Sequence, residues 1–181
     1  MPETTSPDLR FPIGRFTPPS GPLDGGARDA CITEIAAAPE ELRRAVDGLS
    51  PEQLDTPYRP EGWTVRQVVH HVPDSHMNAY VRFKLALTED EPLIKPYDEG
   101  RWAKLPDTQD TPITTSILLL ESLHARWVQL LRHMSAADFG RTLKHPEHGA
   151  MRLDRLLALY AWHGRHHVAH LTSLRSRQGW S

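Results

Sequence analysis

The chain has 181 residues, 24% of them charged and 39% hydrophobic, with a formal net charge of −2. That length and balance suit one globular domain with a substantial core, and the near-neutral charge excludes the basic footprint of a nucleic-acid-binding protein. Met1 to Asp8 lacks the basic start and apolar run of a signal peptide, no stretch is apolar for long enough to span a bilayer, and the single cysteine, Cys31, permits no internal disulfide, which fits a reducing cytoplasm. Histidine is the unusual component: there are eleven, nine of them gathered around 70–76, 145–148 and 163–170.

Residues 1–26 are dense in proline and glycine and cannot form a regular helix, yet Leu9, Phe11, Ile13 and Phe16 supply apolar anchors. The expectation is an irregular arm (1–26) preceding a bundle domain (27–181), the arm pinned to the body by those side chains. From Ala27 to Leu49 the pattern is helical, with Ile32, Ile35, Leu42 and Val46 facing a core. Pro39 interrupts it, predicting a kink or a junction of two shorter helices. A short turn follows at Ser50 to Leu54, then a loop over 55–62.

Trp63 to Thr88 forms the second long predicted helix. Val65, Val69, Val72, His76, Phe83 and Leu87 make an apolar stripe. Thr64, Val68, His71, Ser75, Asn78 and Arg82 make a mostly polar row beside it, suited either to an internal cavity or to an ordinary solvated face. Pro73 should bend this helix beside its histidines. Thr88 to Pro112, with four prolines and with Tyr97, Asp98, Glu99 and Trp102, reads as a long loop between helices, a kind of connection that is often functional. Thr111-Pro112 predicts an N-cap with proline at the first helical position, opening a third helix over Ile113–Met134. A connection over 138–149 leads to a fourth helix from Met151 to about Arg177, with Leu153, Leu156, Leu157, Tyr160, Val168 and Leu171 inward. No strand is predicted. The expected architecture is an all-α four-helix bundle.

His163 and His167 on the fourth helix are separated by one turn and so share a face, where two imidazoles can grip one transition-metal ion; His170 continues the flank. A third ligand must come from elsewhere. The second helix offers His70, His71 and His76: periodicity favours His76, in the apolar stripe, while His71 lies in the polar row, and spacing alone does not choose between them.

Several stretches together carry a family resemblance: Arg10-Phe11-Pro12-Ile13-Gly14, Tyr58 to Gln67, His70 to Asn78, Ile94-Lys95-Pro96-Tyr97-Asp98-Glu99, and Tyr160 to His170. In order and spacing the chain resembles the DinB-like superfamily of metal-binding four-helix bundles, and within it the YfiT-like branch of metal-dependent hydrolases related to bacillithiol S-transferases. The resemblance implies three metal ligands: His71, three residues before the acidic Asp74, and the pair His163 and His167, with His76 as the second choice. Pro73 departs from the family pattern, where a small residue is usual. The resemblance further implies a homodimer with one zinc or nickel per chain.

Three neutral imidazoles leave coordination positions open, as in catalytic rather than structural sites. Such an ion supports hydrolysis through an activated water, or attack by a low-molecular-weight thiol held as thiolate, on a small-molecule substrate. A non-enzymatic metal-binding stress-response protein is the alternative outside enzymes. Cys31 is a poor candidate for the thiol. Asp74, Glu99, His145 and Glu147 are candidates for proton transfer, and Asn78 and Arg82 for holding an anionic group. Tyr160 and Trp162 flank the histidine pair, where core packing explains them equally well.

Overall fold

The computed structural model describes residues 8–180; Pro2 and Pro7 of the expected arm, the Met1-to-Asp8 stretch up to residue 7, and Ser181 lie outside the described residues. Four long helices build the body: α1 (Gly25–Val46), α3 (Val65–Thr88), α6 (Ile113–His133) and α8 (Leu153–Gln178). Between them lie the short helices α2 (Pro51–Leu54), α4 (Glu99–Trp102), α5 (Pro106–Asp110) and α7 (Ala136–Gly140), and a hairpin of β1 (Thr142–His145) and β2 (Gly149–Arg152). Helix α1 packs chiefly on α8 and α6, and α3 on α6 and α8. The successive long helices α1 and α3 are therefore diagonal to each other, as are α6 and α8.

Local chemistry accounts for most boundaries. The Asp24 carboxylate accepts the Ala27 amide at 2.8 Å and opens α1. Thr64 opens α3 in a reciprocal box with Gln67: the Gln67 amide donates to the Thr64 hydroxyl, and the Thr64 amide to the Gln67 side-chain oxygen. Gly179, at φ 65°, closes α8 in the left-handed conformation that glycine adopts without strain.

Several expectations are corrected. Pro39 lies inside one continuous helix and is buried; packing on neighbouring helices outweighs the lost amide, so α1 is one helix rather than a junction of two. The long loop contains α4 and α5. Thr111 closes α5 instead of capping α6, and Pro112 takes the cap position with no side-chain bond. The fourth long helix starts at Leu153 because Met151 belongs to β2. The hairpin escaped the sequence because its strands have four residues each and little apolar alternation. It is held by long-range bonds: β1 pairs antiparallel with β2, and on its other side the Ile94 amide donates to the Lys144 carbonyl and the Lys144 amide to the Pro92 carbonyl. That pairing sets the Pro96–Glu99 segment beside the hairpin tip.

The core falls into two clusters. One gathers Ile32, Ile35, Phe83, Trp127, Leu157 and Tyr160; the other gathers Leu42, Val65, Val69, Leu120, Leu171 and Leu174. Between them, on each long helix except α1, stand buried or half-buried histidines: His71 and His76 on α3, His124 on α6, His163 and His167 on α8. A polar layer inside an apolar bundle is tolerated only where its groups find partners. What those partners are defines the site.

Candidate metal centre

His70 and His71 are consecutive on α3 and so diverge by about 100° around the helix axis. His70 turns to α6, where its Nδ1 lies 2.7 Å from the Ser116 hydroxyl. His71 turns to α8. Its ring centroid lies 5.4 Å from that of His163 and 4.9 Å from that of His167, whose own rings are 4.5 Å apart. One ring nitrogen from each of the three lies within 4.8 Å of the others. The Nε2 atoms of His71 and His163 are 3.4 Å apart, close to the roughly 3.3 Å that separates two nitrogens bound at ~2.0–2.1 Å to a tetrahedral zinc. The residues present therefore fit a divalent metal. Trp63 covers His71 at 4.6 Å and Tyr160 flanks His163 at 5.5 Å. Gly164 allows α8 close to α1 here: a Cβ in its place would stand 3.1 Å from that of Ala38.

Burial sets the electrostatics. It lowers the pKa of His71 to about 4, and holds those of His163 and His167 well below the ordinary value with help from neighbouring imidazoles. All three are neutral at physiological pH, with lone pairs free for a cation, and the group includes no carboxylate.

His76 sits behind this group instead of in it. Its Nε2 lies 3.1 Å from His163 Nδ1, and its Nδ1 lies 2.8 Å from His124 Nε2. His124 Nδ1 reaches the Ile35 carbonyl at 2.7 Å. His170, although it continues the flank of the pair, serves the arm: its Nε2–H donates to the Arg10 carbonyl at 3.1 Å and its ring stacks on Tyr58. Phe11 against His166 and Phe16 against Trp162 complete that attachment. Cys31, half-buried on α1, has its thiol pushed further from ionisation by burial and by Glu34.

The other candidates divide into two places. Arg82 and Glu99 line a cleft of about 710 Å³ with Tyr97, His145, Glu147 and His148. Burial, His148 and Arg82 lower the His145 pKa. His145, Glu147 and His148 also bring one potential ligand atom each within 4.8 Å of one another at the exposed hairpin tip. Tyr160 joins this cleft to the histidines, since its hydroxyl faces Ser75 and Arg82 while its ring touches His163; the Tyr97 hydroxyl also faces Ser75. Asp74 and Asn78 are not among the residues lining the cleft. Asp74 is half-buried one turn beyond His71, and burial, then Asp107, raises its pKa to about 6. The Asn78 side-chain amide donates to the Asp74 backbone carbonyl at 2.9 Å, so it is committed in part to its own helix.

The sequence model of the DinB superfamily matches residues 34–171, a span that includes His71, His163 and His167. The chain belongs to the DinB superfamily. Among its DinB relatives is a Bacillus mycoides protein named "Putative metal-dependent hydrolase", 56% identical over 173 residues, with 96% of this chain and 99% of that protein covered. A Bacillus cereus protein of the same name is similar to the same extent. Among solved structures, YfiT from Bacillus subtilis, titled "a probable metal-dependent hydrolase with an unusual four-helix bundle topology", superposes with a TM-score of 0.92 at 46% identity, covering 96% of this chain and 99% of that one. The DinB-like and YfiT-like resemblance and the bundle are thus established.

One residue of this DinB bundle's polar layer was missed in the sequence: His124. It continues the spacing of Ile117, Leu120, Trp127 and Leu131 on α6, all nearly inaccessible. A histidine in phase with a core stripe was the available signal.

Proposed function

We propose that the chain is a metal-dependent hydrolase of a small-molecule substrate, with one divalent ion, zinc or nickel, held by His71, His163 and His167. The observation that carries this is the convergence of three neutral, buried imidazoles from two helices with no carboxylate among them. An ion held so supplies Lewis acidity and lowers the pKa of a coordinated water to about 7. The names of the 56%-identical relatives support the same reading.

The chain's own groups then have distinct tasks. Asp74, with a pKa near 6, exchanges a proton close to neutrality, which suits a general base or acid. Glu99 and Glu147, on the cleft wall, are the alternatives. Arg82 offers a fixed cation to an anionic part of the substrate, and Asn78 stands one turn before it on α3. Arg82→Ala is expected to raise KM for a carboxylate-bearing substrate about tenfold or more while changing kcat little; steady-state kinetics with charged and neutral substrate analogues checks this. An unchanged KM removes Arg82 from the site.

A second reading is favoured by the uncompensated charge of a cation on three neutral ligands. That charge would suit an anionic exogenous ligand such as a low-molecular-weight thiol that has lost its proton to solvent, the nucleophile for a conjugation in which a new C–S bond replaces the bond to the substrate's leaving group. The homodimer implied by the family resemblance belongs to the same proposal and is tested by light scattering.

Elemental analysis of untagged protein, purified without added metal beside a His163→Ala/His167→Ala variant, tests the centre. About one zinc or nickel per chain, absent from the variant, is expected. Wild-type protein that is metal-free and refuses zinc on titration defeats the proposal. Hydrolysis and thiol-conjugation assays on the loaded protein separate the two reactions.

A further inference from the structure

Ile35 precedes Pro39 by four residues inside α1. In an α-helix the carbonyl of residue i accepts the amide of residue i+4, and proline has no amide hydrogen. The Ile35 carbonyl, in a fully buried residue, thus lacks its partner within the helix. His124 Nδ1, 2.7 Å away, takes that place. A carbonyl only accepts, so this nitrogen carries the hydrogen.

The consequence runs across the bundle. His124, His76 and His163 stand in the buried layer with only imidazole nitrogens and a backbone carbonyl as hydrogen-bond partners, the setting of neutral imidazoles, each of which has one donor and one acceptor nitrogen. With Nδ1 of His124 donating, its Nε2 accepts, and His76 Nδ1, 2.8 Å away, must donate. His76 Nε2 then accepts, and His163 Nδ1, 3.1 Å away, must donate in turn. His163 Nε2 is left bare, and it is the atom facing His71 Nε2.

We propose that His124 and His76 are positioning residues: a hydrogen-bond chain from the carbonyl freed by Pro39 locks His163 in the tautomer whose Nε2 lone pair points at the metal position. The chain takes one residue from each long helix (Ile35 from α1, His124 from α6, His76 from α3, His163 from α8), so the bundle's assembly and the ligand's readiness are one event. It rests on the metal reading above and extends it to residues outside the ligand set. Partners of this kind orient a ligating imidazole and raise its basicity.

The test uses the full chain labelled with ¹⁵N-histidine, by long-range ¹H–¹⁵N spectra before and after zinc addition, together with zinc titrations. Before zinc, the hydrogen is expected on Nδ1 of His124, His76 and His163. His124→Phe removes the acceptor for His76; it is expected to mix the His163 tautomers and weaken zinc binding about 10–100-fold. His124→Gln, whose side-chain oxygen can accept from His76, should restore one tautomer and bring affinity back to within a few-fold. A merely structural role would not move the tautomer signal. Hydrogen on His163 Nε2 in the zinc-free wild type overturns the proposal, as does a His124→Phe protein that binds zinc as tightly as wild type. Should the phenylalanine variant fail to fold, the wild-type spectra and the glutamine variant decide. Wild-type protein that takes up no zinc while showing the expected tautomers defeats the metal reading instead, which keeps the two failures apart.

Discussion

Replacing His71 by Ala is expected to weaken zinc binding by on the order of a hundredfold or more, while His70→Ala leaves it nearly unchanged. Zinc sites of proteins gather about 10–16 kcal/mol in all from three or four ligands, so one ligand is worth roughly 3 kcal/mol or more. The two histidines are adjacent in sequence, equally available to a motif search and both buried. They differ only in direction: His71 Nε2 lies 3.4 Å from His163 Nε2, whereas His70 is bonded to Ser116 on the other side of α3. In the proposed centre His71 is also the one group that would tie α3 to α8 through the ion. Wild-type protein at a hundredfold excess of free zinc over Kd should gain about 2.7 kcal/mol, roughly 5–10 °C in Tm for a chain of this size, and the His71→Ala variant should gain almost nothing at that zinc concentration. Calorimetric titration and thermal melts with and without zinc measure both effects. Equal affinities for the two variants would sink the assignment of His71.

Metal-free protein is expected to unfold cooperatively in mild acid, before its carboxylates are extensively protonated. His71, His124, His166 and His170 are kept neutral down to about pH 4 by burial, and His76, His163 and His167 further still. In the unfolded chain each takes up a proton near pH 6.5. Between those limits the unfolded state holds more protons, so stability rises with pH. The contribution of the neutral rings is complete above pH 6.5 and is lost as pH falls toward 4. At pH 5.5 each of the four groups near 4 costs about 1.4 kcal/mol, together roughly 5–6 kcal/mol, a large part of the 5–15 kcal/mol that holds a typical domain folded. Asp74 acts in the opposite sense between pH 3.8 and about 6, one group against seven. Near-ultraviolet circular dichroism should therefore show a transition with its midpoint at about pH 5–6 in metal-free protein, shifted lower by saturating zinc. A folded signal persisting at pH 4.5 without metal would show that these rings do not govern the acid limit.

The helices themselves were legible because their causes are local. Apolar residues recur every three or four positions along each of them, although the caps that open two of them, Asp24 and Thr64, were not singled out. The pair His163 and His167 was legible for the same reason, since residues one turn apart share a face whatever lies opposite. The hairpin was not, because four-residue strands such as Thr142–His145 are stabilised by partners distant in sequence, Arg152 across one edge and the Pro92–Ile94 segment along the other. Pro39 was read only for its local effect, a kink or a junction of two helices; what the sequence did not show is its effect across the interface, where the carbonyl it frees is taken by His124.

By itself, then, the sequence determined four amphipathic helices, their lengths within a few residues, and which histidines share a face along each. It left His71 and His76 undecided between ligand and core until the family resemblance was added, and it passed over His124. Only the tertiary structure decided which atoms meet. Placing α1 and α6 diagonally across from α3 and α8, respectively, puts both α6 and α8 beside α3, so that His71 faces the pair on α8 while His76 reaches both His124 and His163. Helical periodicity fixes an angle about one axis; a metal site needs distances between axes, and those are set by how whole faces pack.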